Sequence, residues 1–301
     1  MDIQRIGILS IGEMGAACAR LFREKGARVV TVISGRSERT RALARNAGVE
    51  AVEHANALLD ASDLILSLVT PSSAMTVCRE VAEAMKGRTG SPIFIDANPT
   101  SPMIAEKMAE LITSSGGRFI DGAIIGSAAE VGRSTALYVS GPGADGLKHL
   151  EQYGLRVKVL GEKVGQASAL KIFNAGLNKG MAALLTELLM GASKAGILDE
   201  VVDLYNGGFR DIVKRMDGFL TGMSQHARRR SEEMIELEDT LRHGGMEPVM
   251  TPAIRDLLSG IASVHLDPIE PAPNSYRVLL SRLAEKKFLL TRGADGRGAI
   301  S

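Results

Sequence analysis

Short runs of β-branched and apolar residues alternate with longer amphipathic stretches through the first half of the chain, and the alternation stops near residue 162. The runs at 3–9, 28–33, 64–69, 93–96, 119–123 and 136–140 predict strands, with 157–160 as the last. Helical patterns fall between them at 15–25, 37–46, 72–85 and 102–113. Two carry cap signals, Ser37 before an arginine-rich stretch and Ser101 before Pro102. Strands separated by crossover helices describe a doubly wound, mostly parallel sheet. From 164 the strand signals end. Residues 164–195 contain no proline and predict one long, mostly buried helix, followed by shorter helices broken at Gly207-Gly208, Gly244-Gly245, Pro248 and 268–274. The fold class is therefore α/β. A Rossmann-type domain over 1–162 is joined by a long interdomain helix to an all-α domain over 163–301. The Gly- and Arg-rich tail at 291–301 predicts a loosely held end.

Composition narrows the function. With 45% hydrophobic and 24% charged residues among 301, the chain has material for two cores. A formal net charge of +1 gives no global electrostatic case for nucleic acid or acidic membranes. Arg228-Arg229-Arg230 runs straight into Ser231-Glu232-Glu233, the pattern of a solvated helix face. Cys18 and Cys78 are far apart, and His54, His149, His226, His243 and His265 are scattered, so neither a disulfide framework nor a metal site is expected. No apolar run reaches membrane-span length, and Met1-Asp2-Ile3 lacks the basic start of a signal peptide. These features predict a cytoplasmic protein with reduced thiols.

The chemistry concentrates in two places. On the long helix, about 100° per residue brings Lys171, Asn174 and Asn178 within roughly 60° of one another. Ala169, Ala175, Gly176 and Gly180 beside them leave space for a ligand or a second backbone. A buried ammonium is costly unless it is paired or used, so Lys171 is either a core lysine paired to a carboxylate or a proton-transfer group. At the N-terminus, Ser10-Ile11-Gly12-Glu13-Met14-Gly15 stands between strand and helix, in the place of the G-x-G-x-x-G turn that admits a diphosphate. Ser10 replaces the first glycine, and Glu13 puts an anion near the phosphates. The second strand ends in Ile33-Ser34-Gly35-Arg36-Ser37, with Arg39 close behind and no carboxylate before Glu38. Ser34, Arg36 and Ser37 suit a 2′-phosphate, which favours NADP(H) over NAD(H); Arg41 reads as exposed helix face. Two later strand ends, Leu68-Val69-Thr70-Pro71 and Asp96-Ala97-Asn98-Pro99, should approach the nicotinamide.

With these pieces in order, the chain resembles the β-hydroxyacid dehydrogenases, the group of 3-hydroxyisobutyrate and 6-phosphogluconate dehydrogenases. The resemblance runs to about residue 200. It rests on the glycine turn, on Asp96-Ala97-Asn98, on Phe119-Ile120-Asp121-Gly122-Ala123-Ile124-Ile125-Gly126, and on Gly165-Gln166 followed by Lys171-Ile172-Phe173-Asn174. Residues 167–185 and 229–248 look like the subgroup with a phosphogluconate-dehydrogenase-like C-terminal domain of unknown function. The resemblance implies Lys171 as general acid/base and Asn174 as a substrate ligand. It places Gly12, Met14 and Gly15, with Ile11, at the diphosphate, and Asn98 beside the nicotinamide ribose. Three departures stand out. Ile125-Gly126-Ser127 replaces the family's Ser-Gly-Gly substrate loop, so that Gly126 and Ser127 stand at the substrate and the carboxylate-binding hydroxyl is missing or displaced to Ser127; Ala175 replaces a second asparagine, and the C-terminal half has no Lys-Asp-Leu segment.

The implied reaction is hydride transfer between NADP(H) and a small hydroxy acid or related alcohol or carbonyl compound, with Lys171 exchanging the proton. Asn178 is read as a further substrate contact or as helix packing, and Arg229 or Arg230 as an anion contact or as solvated surface. Imine reduction and cofactor binding without chemistry are the alternatives. Imine reductases resemble this group but characteristically lack the lysine. The resemblance also implies a homodimer formed through the helical domain.

Overall fold

The computed structural model describes residues 3–289, so Met1, Asp2 and the tail read at 291–301 lie outside the described residues. The chain divides into two compact units, Met1–Ile172 and Phe173–Ser301. The division falls inside the long helix, further along than the change of pattern at 162.

The first unit is an eight-stranded sheet in the order β3-β2-β1-β4-β5-β6-β7-β8, from β1 (Arg5–Leu9), β2 (Arg28–Val32), β3 (Glu50–Val52), β4 (Leu64–Ser67), β5 (Ile93–Asp96), β6 (Arg118–Ile125), β7 (Ala136–Ser140) and β8 (Arg156–Gly161). All neighbours are parallel except β6 and β7. Helices α1 (Glu13–Glu24), α2 (Glu38–Asn46), α3 (Ala55–Asp60), α4 (Pro71–Met85) and α5 (Pro102–Ser114) make the crossovers. Ala16, Phe22 and Ala44 of α1 and α2 pack on one face of the sheet, and Leu58, Val77, Val81 and Met108 of α3, α4 and α5 on the other. Covering both faces is why β4 and β5 read as unbroken apolar runs. Cys18 and Cys78 are free and buried, and burial pushes both thiols up to about 12. They serve as small apolar side chains.

The pattern missed β3 and α3. β3 is three residues long and largely exposed, so it has no apolar run to read. The two caps differ. Ser37 Oγ accepts from the Thr40 N–H at 3.3 Å, whereas Ser101 holds the cap position of α5 without a side-chain bond.

The long helix α6 (Gln166–Ala195) begins against the middle of β6. There the Asp121 carboxylate is buried and accepts from the backbone N–H groups of Gly165 (3.0 Å), Ala167 (2.9 Å) and Ser168 (3.0 Å). The Ser168 hydroxyl donates at 2.6 Å and the Ser140 hydroxyl at 2.9 Å. The first N–H groups of a helix have no partner within the helix, and this one carboxylate serves several of them. Burial raises the Asp121 pKa against the pull of those donors.

The second unit contains the rest of α6 with α7 (Leu198–Gly208), α8 (Arg210–His243), α9 (Met250–Ser263) and α10 (Tyr276–Glu285). The space expected beside the small residues of α6 is already filled here. A Cβ on Gly176 would stand 2.5 Å from Leu237 of α8, and one on Gly180 3.2 Å from Ile254 of α9. These glycines therefore admit neighbouring side chains, not a ligand. Glu238, buried on α8, accepts from Arg255 of α9 through both oxygens at 2.7 and 2.9 Å.

The arginine run divides as well. Arg228 and Arg229 are exposed and lie near Glu232 and Glu233 one turn on. Arg230 turns inward and donates to the Phe219 carbonyl at 2.9 Å, 11 residues back. A straight helix would separate those residues by ~16 Å, beyond an arginine's reach, so α8 bends between them. Gly222 leaves the space the guanidinium fills, and the Thr221 and Ser224 hydroxyls bond back to helix carbonyls nearby.

Asp121→Ala strips the acceptor from a buried set of donors, so it should lower unfolding stability by about 3 kcal/mol or more. Urea denaturation followed by circular dichroism measures this. A loss under about 1 kcal/mol would mean that the anchor is dispensable.

Candidate cofactor and active site

In a doubly wound sheet, ligands bind beyond the carboxyl ends of the strands where the winding reverses. Here that point lies between β1 and β4, because the chain builds outward from β1 to β2 and β3 before returning to β4 on the other side. The turn after β1 contains Ser10, Ile11, Gly12, Glu13, Met14 and Gly15. Ser10 adopts φ +72°, the left-handed conformation a first glycine would have supplied. Gly12 caps α1 without a side-chain bond, and nothing lies within 4 Å of where its Cβ would stand. A Cβ on Gly15 would sit 2.6 Å from the Ser10 carbonyl, so α1 starts hard against the turn. A helix start with no side-chain cap and an open approach fits a diphosphate. Glu13 points at Arg39, whose Nη2 donates to it at 2.8 Å.

Beyond β2, Ser34 is exposed and Gly35 turns the chain at φ +68°. Arg36 has a buried Nε with no hydrogen-bond partner. Ser37 caps α2 with its hydroxyl. Arg41, read as exposed helix face, folds back so that its Nε donates to the Arg36 carbonyl at 3.1 Å. After β4, Val69 packs at the edge of the core and Thr70 caps α4, with its hydroxyl 2.9 Å from Ser73 Oγ.

The end of β5 carries the densest polar arrangement. Asn98 is 1% exposed; its Nδ2 donates to Asp96 Oδ1 at 2.5 Å and to Ser67 Oγ at 3.1 Å, while its Oδ1 is buried with no partner. Lys171 reaches the same turn from α6, where Nζ donates to the Ala97 carbonyl at 3.0 Å. Asp96 pairs in register with Asp121 on β6. Its pKa is pushed up to about 6, chiefly by burial; Asn98 and Lys171 oppose the rise and Asp121 adds to it.

Gly126, at the end of β6, has φ +134°, and a Cβ there would lie 2.7 Å from the Thr135 Cα, so only glycine fits. The next residue, Ser127, is exposed, and its carbonyl accepts from Thr135 Oγ1 at 2.7 Å. In the second unit, Asn174 is exposed. The Asn178 amide is engaged at both ends: Nδ2 donates to the Asn174 carbonyl at 2.8 Å, and Oδ1 accepts from Arg215 at 3.3 Å. Those contacts are of the kind that helix packing makes, one of the two readings open to Asn178. Among the described residues no helix is long and apolar enough to cross a membrane.

The two aspartates were given no role from the sequence, although both strands carry the same signal. Ile93-Phe94-Ile95-Asp96 ends a buried apolar run on an acid, Asp121 interrupts one within β6, and a buried acid needs donors.

Comparison with known proteins agrees with this architecture. Residues 5–97 match the family described as NADP oxidoreductase coenzyme F420-dependent, and residues 192–261 match the domain of unknown function DUF1932. An uncharacterized 28.5 kDa protein encoded in the 7S RNA 5′ region of Methanothermus fervidus is 33% identical over 261 residues, covering 85% of this chain and 98% of that protein. Among solved structures, a conserved protein of unknown function, described as similar to 3-hydroxyacid dehydrogenases, superposes with a TM-score of 0.71 at 29% identity, covering 92% of this chain and 99% of that one. The fold is also that of Mycobacterium tuberculosis 3-hydroxyisobutyrate dehydrogenase, with a TM-score of 0.74 at 17% identity over 94% of this chain and 99% of that one. The chain belongs to the β-hydroxyacid dehydrogenase-like family, in the branch whose C-terminal half carries DUF1932.

Proposed function

We propose that this protein is an NADP(H)-dependent oxidoreductase that interconverts an alcohol and a carbonyl in a small, anionic substrate, with Lys171 as general acid/base. The observation that carries the reading is the Lys171 ammonium held on the Ala97 carbonyl, one residue from Asn98 at the end of β5. That contact places the lysine at the carboxyl end of β5, where family members place the nicotinamide. The cofactor, when bound, supplies or accepts the hydride. Lys171 gives a proton to the developing alkoxide in reduction and takes it back in oxidation. The Ala97 carbonyl holds Nζ in place. The uncapped start of α1, at Gly12, Glu13, Met14 and Gly15, suits the diphosphate, and Asn98 the nicotinamide riboside. Gly126, Ser127 and Asn174 are assigned to the substrate on the resemblance alone.

The phosphate preference rests on Arg36, whose unpartnered Nε stands just beyond β2 where an acidic residue would recognise a plain ribose. Arg36→Ala should weaken NADPH binding about 10-fold or more, the worth of a charge-assisted hydrogen bond, and leave NADH binding unchanged. Calorimetric titration with both nucleotides measures it; equal losses for the two would remove the preference.

Lys171→Met tests the proton transfer. Turnover in NADPH oxidation, screened against aldehydes, keto acids and cyclic imines, should fall about 100-fold or more, with NADPH affinity retained. Turnover near that of the wild type would make the lysine structural. Reduction of imines alone would favour the C=N reading.

A homodimer accounts for the apolar face of the second unit. Phe173, Leu177, Leu184 and Leu188 are all exposed on α6, and Leu204 and Phe209 are exposed with them. At 100° per residue the four α6 positions form one stripe, and it borders a groove of about 180 Å³ lined by Met181, Tyr205, Phe209 and Ile212. Light scattering should return twice the chain mass, and Leu184→Glu should return the monomer. A monomeric wild type at micromolar concentration would remove the dimer.

A further inference from the structure

We propose that Asp96 is the positioning residue that decides which end of the Asn98 amide is presented at the carboxyl end of β5. The inference rests on the nucleotide reading above and names a group which that reading leaves without a role.

As a carboxylate, Asp96 can only accept. It takes the Asn98 backbone N–H and the side-chain Nδ2–H, the latter at 2.5 Å, and the Thr100 hydroxyl lies 3.5 Å from its other oxygen. The second amide hydrogen goes to Ser67 Oγ at 3.1 Å. With both N–H bonds committed inward, the amide oxygen is the end left over, and it is the atom found buried without a partner. Such an acceptor is costly in an empty site and favourable in one that receives a donor. The nicotinamide riboside offers donors in its hydroxyls and carboxamide.

A protonated Asp96 reverses the arrangement. The acid O–H becomes a donor and suits the amide oxygen, so the Asn98 amide turns over and presents its NH₂ instead. The Ser67 hydroxyl serves either orientation, because it both donates and accepts. The groups facing Asp96 place this reversal within reach. They are Asp121 on β6, Lys171 on α6 and Cys78 on α4, whose thiol stays protonated. Burial and Asp121 bring the Asp96 pKa to about 6 despite Lys171. Because the ionised form presents the acceptor, affinity at the nicotinamide end is full above that pH and falls below it.

The test is calorimetric titration from pH 5 to 8 with NADP⁺ and with adenosine 2′-monophosphate. The monophosphate carries the 2′-phosphate as its one phosphate and has no nicotinamide, so it reports the titration of the 2′-phosphate by itself. In the wild type, NADP⁺ affinity should fall about 10-fold between pH 7 and pH 5 beyond any change in the monophosphate, as a pKa of about 6 dictates. In Asp96→Asn the two ligands should follow the same profile. Asn98→Ala keeps the carboxylate and should bind NADP⁺ more weakly with no excess pH dependence. It also carries the test should Asp96→Asn fail to fold. An excess that survives in Asn98→Ala means Asp96 acts by bare charge and overturns the positioning role. So does a wild type with no excess. Binding of neither ligand at pH 8 overturns the nucleotide reading, and this inference with it.

Discussion

The placement of Lys171 depends on a buried carboxylate meeting the start of a helix. Asp121, midway along β6, accepts the first free N–H groups of α6, which removes the cost of burying them and places a negative charge at the positive end of the helix dipole. The contact also sets rotation. Ser168 bonds Asp121 through its hydroxyl, and Lys171, three residues on and on the same face, bonds the Ala97 carbonyl. Two bonds one turn apart prevent the helix from rolling, so the ammonium is held at one point, facing the Asp96 charge.

The register of the sheet explains why two acids share this neighbourhood and behave differently. Asp96 and Asp121 are opposite each other on adjacent parallel strands, and each raises the cost of ionising the other. Asp121 is surrounded by helix N–H groups and two hydroxyls, all donors that favour the anion. Asp96 has mainly the Asn98 amide, which can turn over. A carboxylate held by a fixed backbone is a structural anchor; one held by a rotatable amide can be coupled to a ligand.

Much of this was legible in the chain. The parallel sheet, the glycine turn and the long helix follow from periodicity, because covered strands must be apolar throughout and an uninterrupted helix must lack proline. Lys171 stood out as a cation among small and apolar residues. What was hidden depends on contacts distant in sequence. Gly176 reads as space, and only the fold shows Leu237 occupying it. Arg230 reads as one of three exposed arginines, yet a bend in α8 brings it against Phe219. Asn178 lies on the face of Lys171, but its amide is engaged by Asn174 and Arg215. β3 carries too few apolar residues to announce itself. The matching acids of β5 and β6 were visible, but their meaning depends on strand register, which periodicity does not contain.

On the proposed reading, the sheet also separates nucleotide recognition from proton transfer. Arg36 stands at the end of β2, and Asn98 with Lys171 at the end of β5. In the order β2-β1-β4-β5 these ends lie three strand spacings apart, about 14 Å. The uncapped start of α1 lies between them, after β1. A ligand that engages all three must be elongated, with an anion at one end, a second anionic group near its middle and hydrogen-bond donors at the other end. The cation at β2 can then change without disturbing the ammonium at β5, because no side-chain bond links them. The acids of β5 and β6 have no such independence: they share one register, Asp121 holds the start of α6 one turn before Lys171, and Asp96 feels the lysine's charge directly.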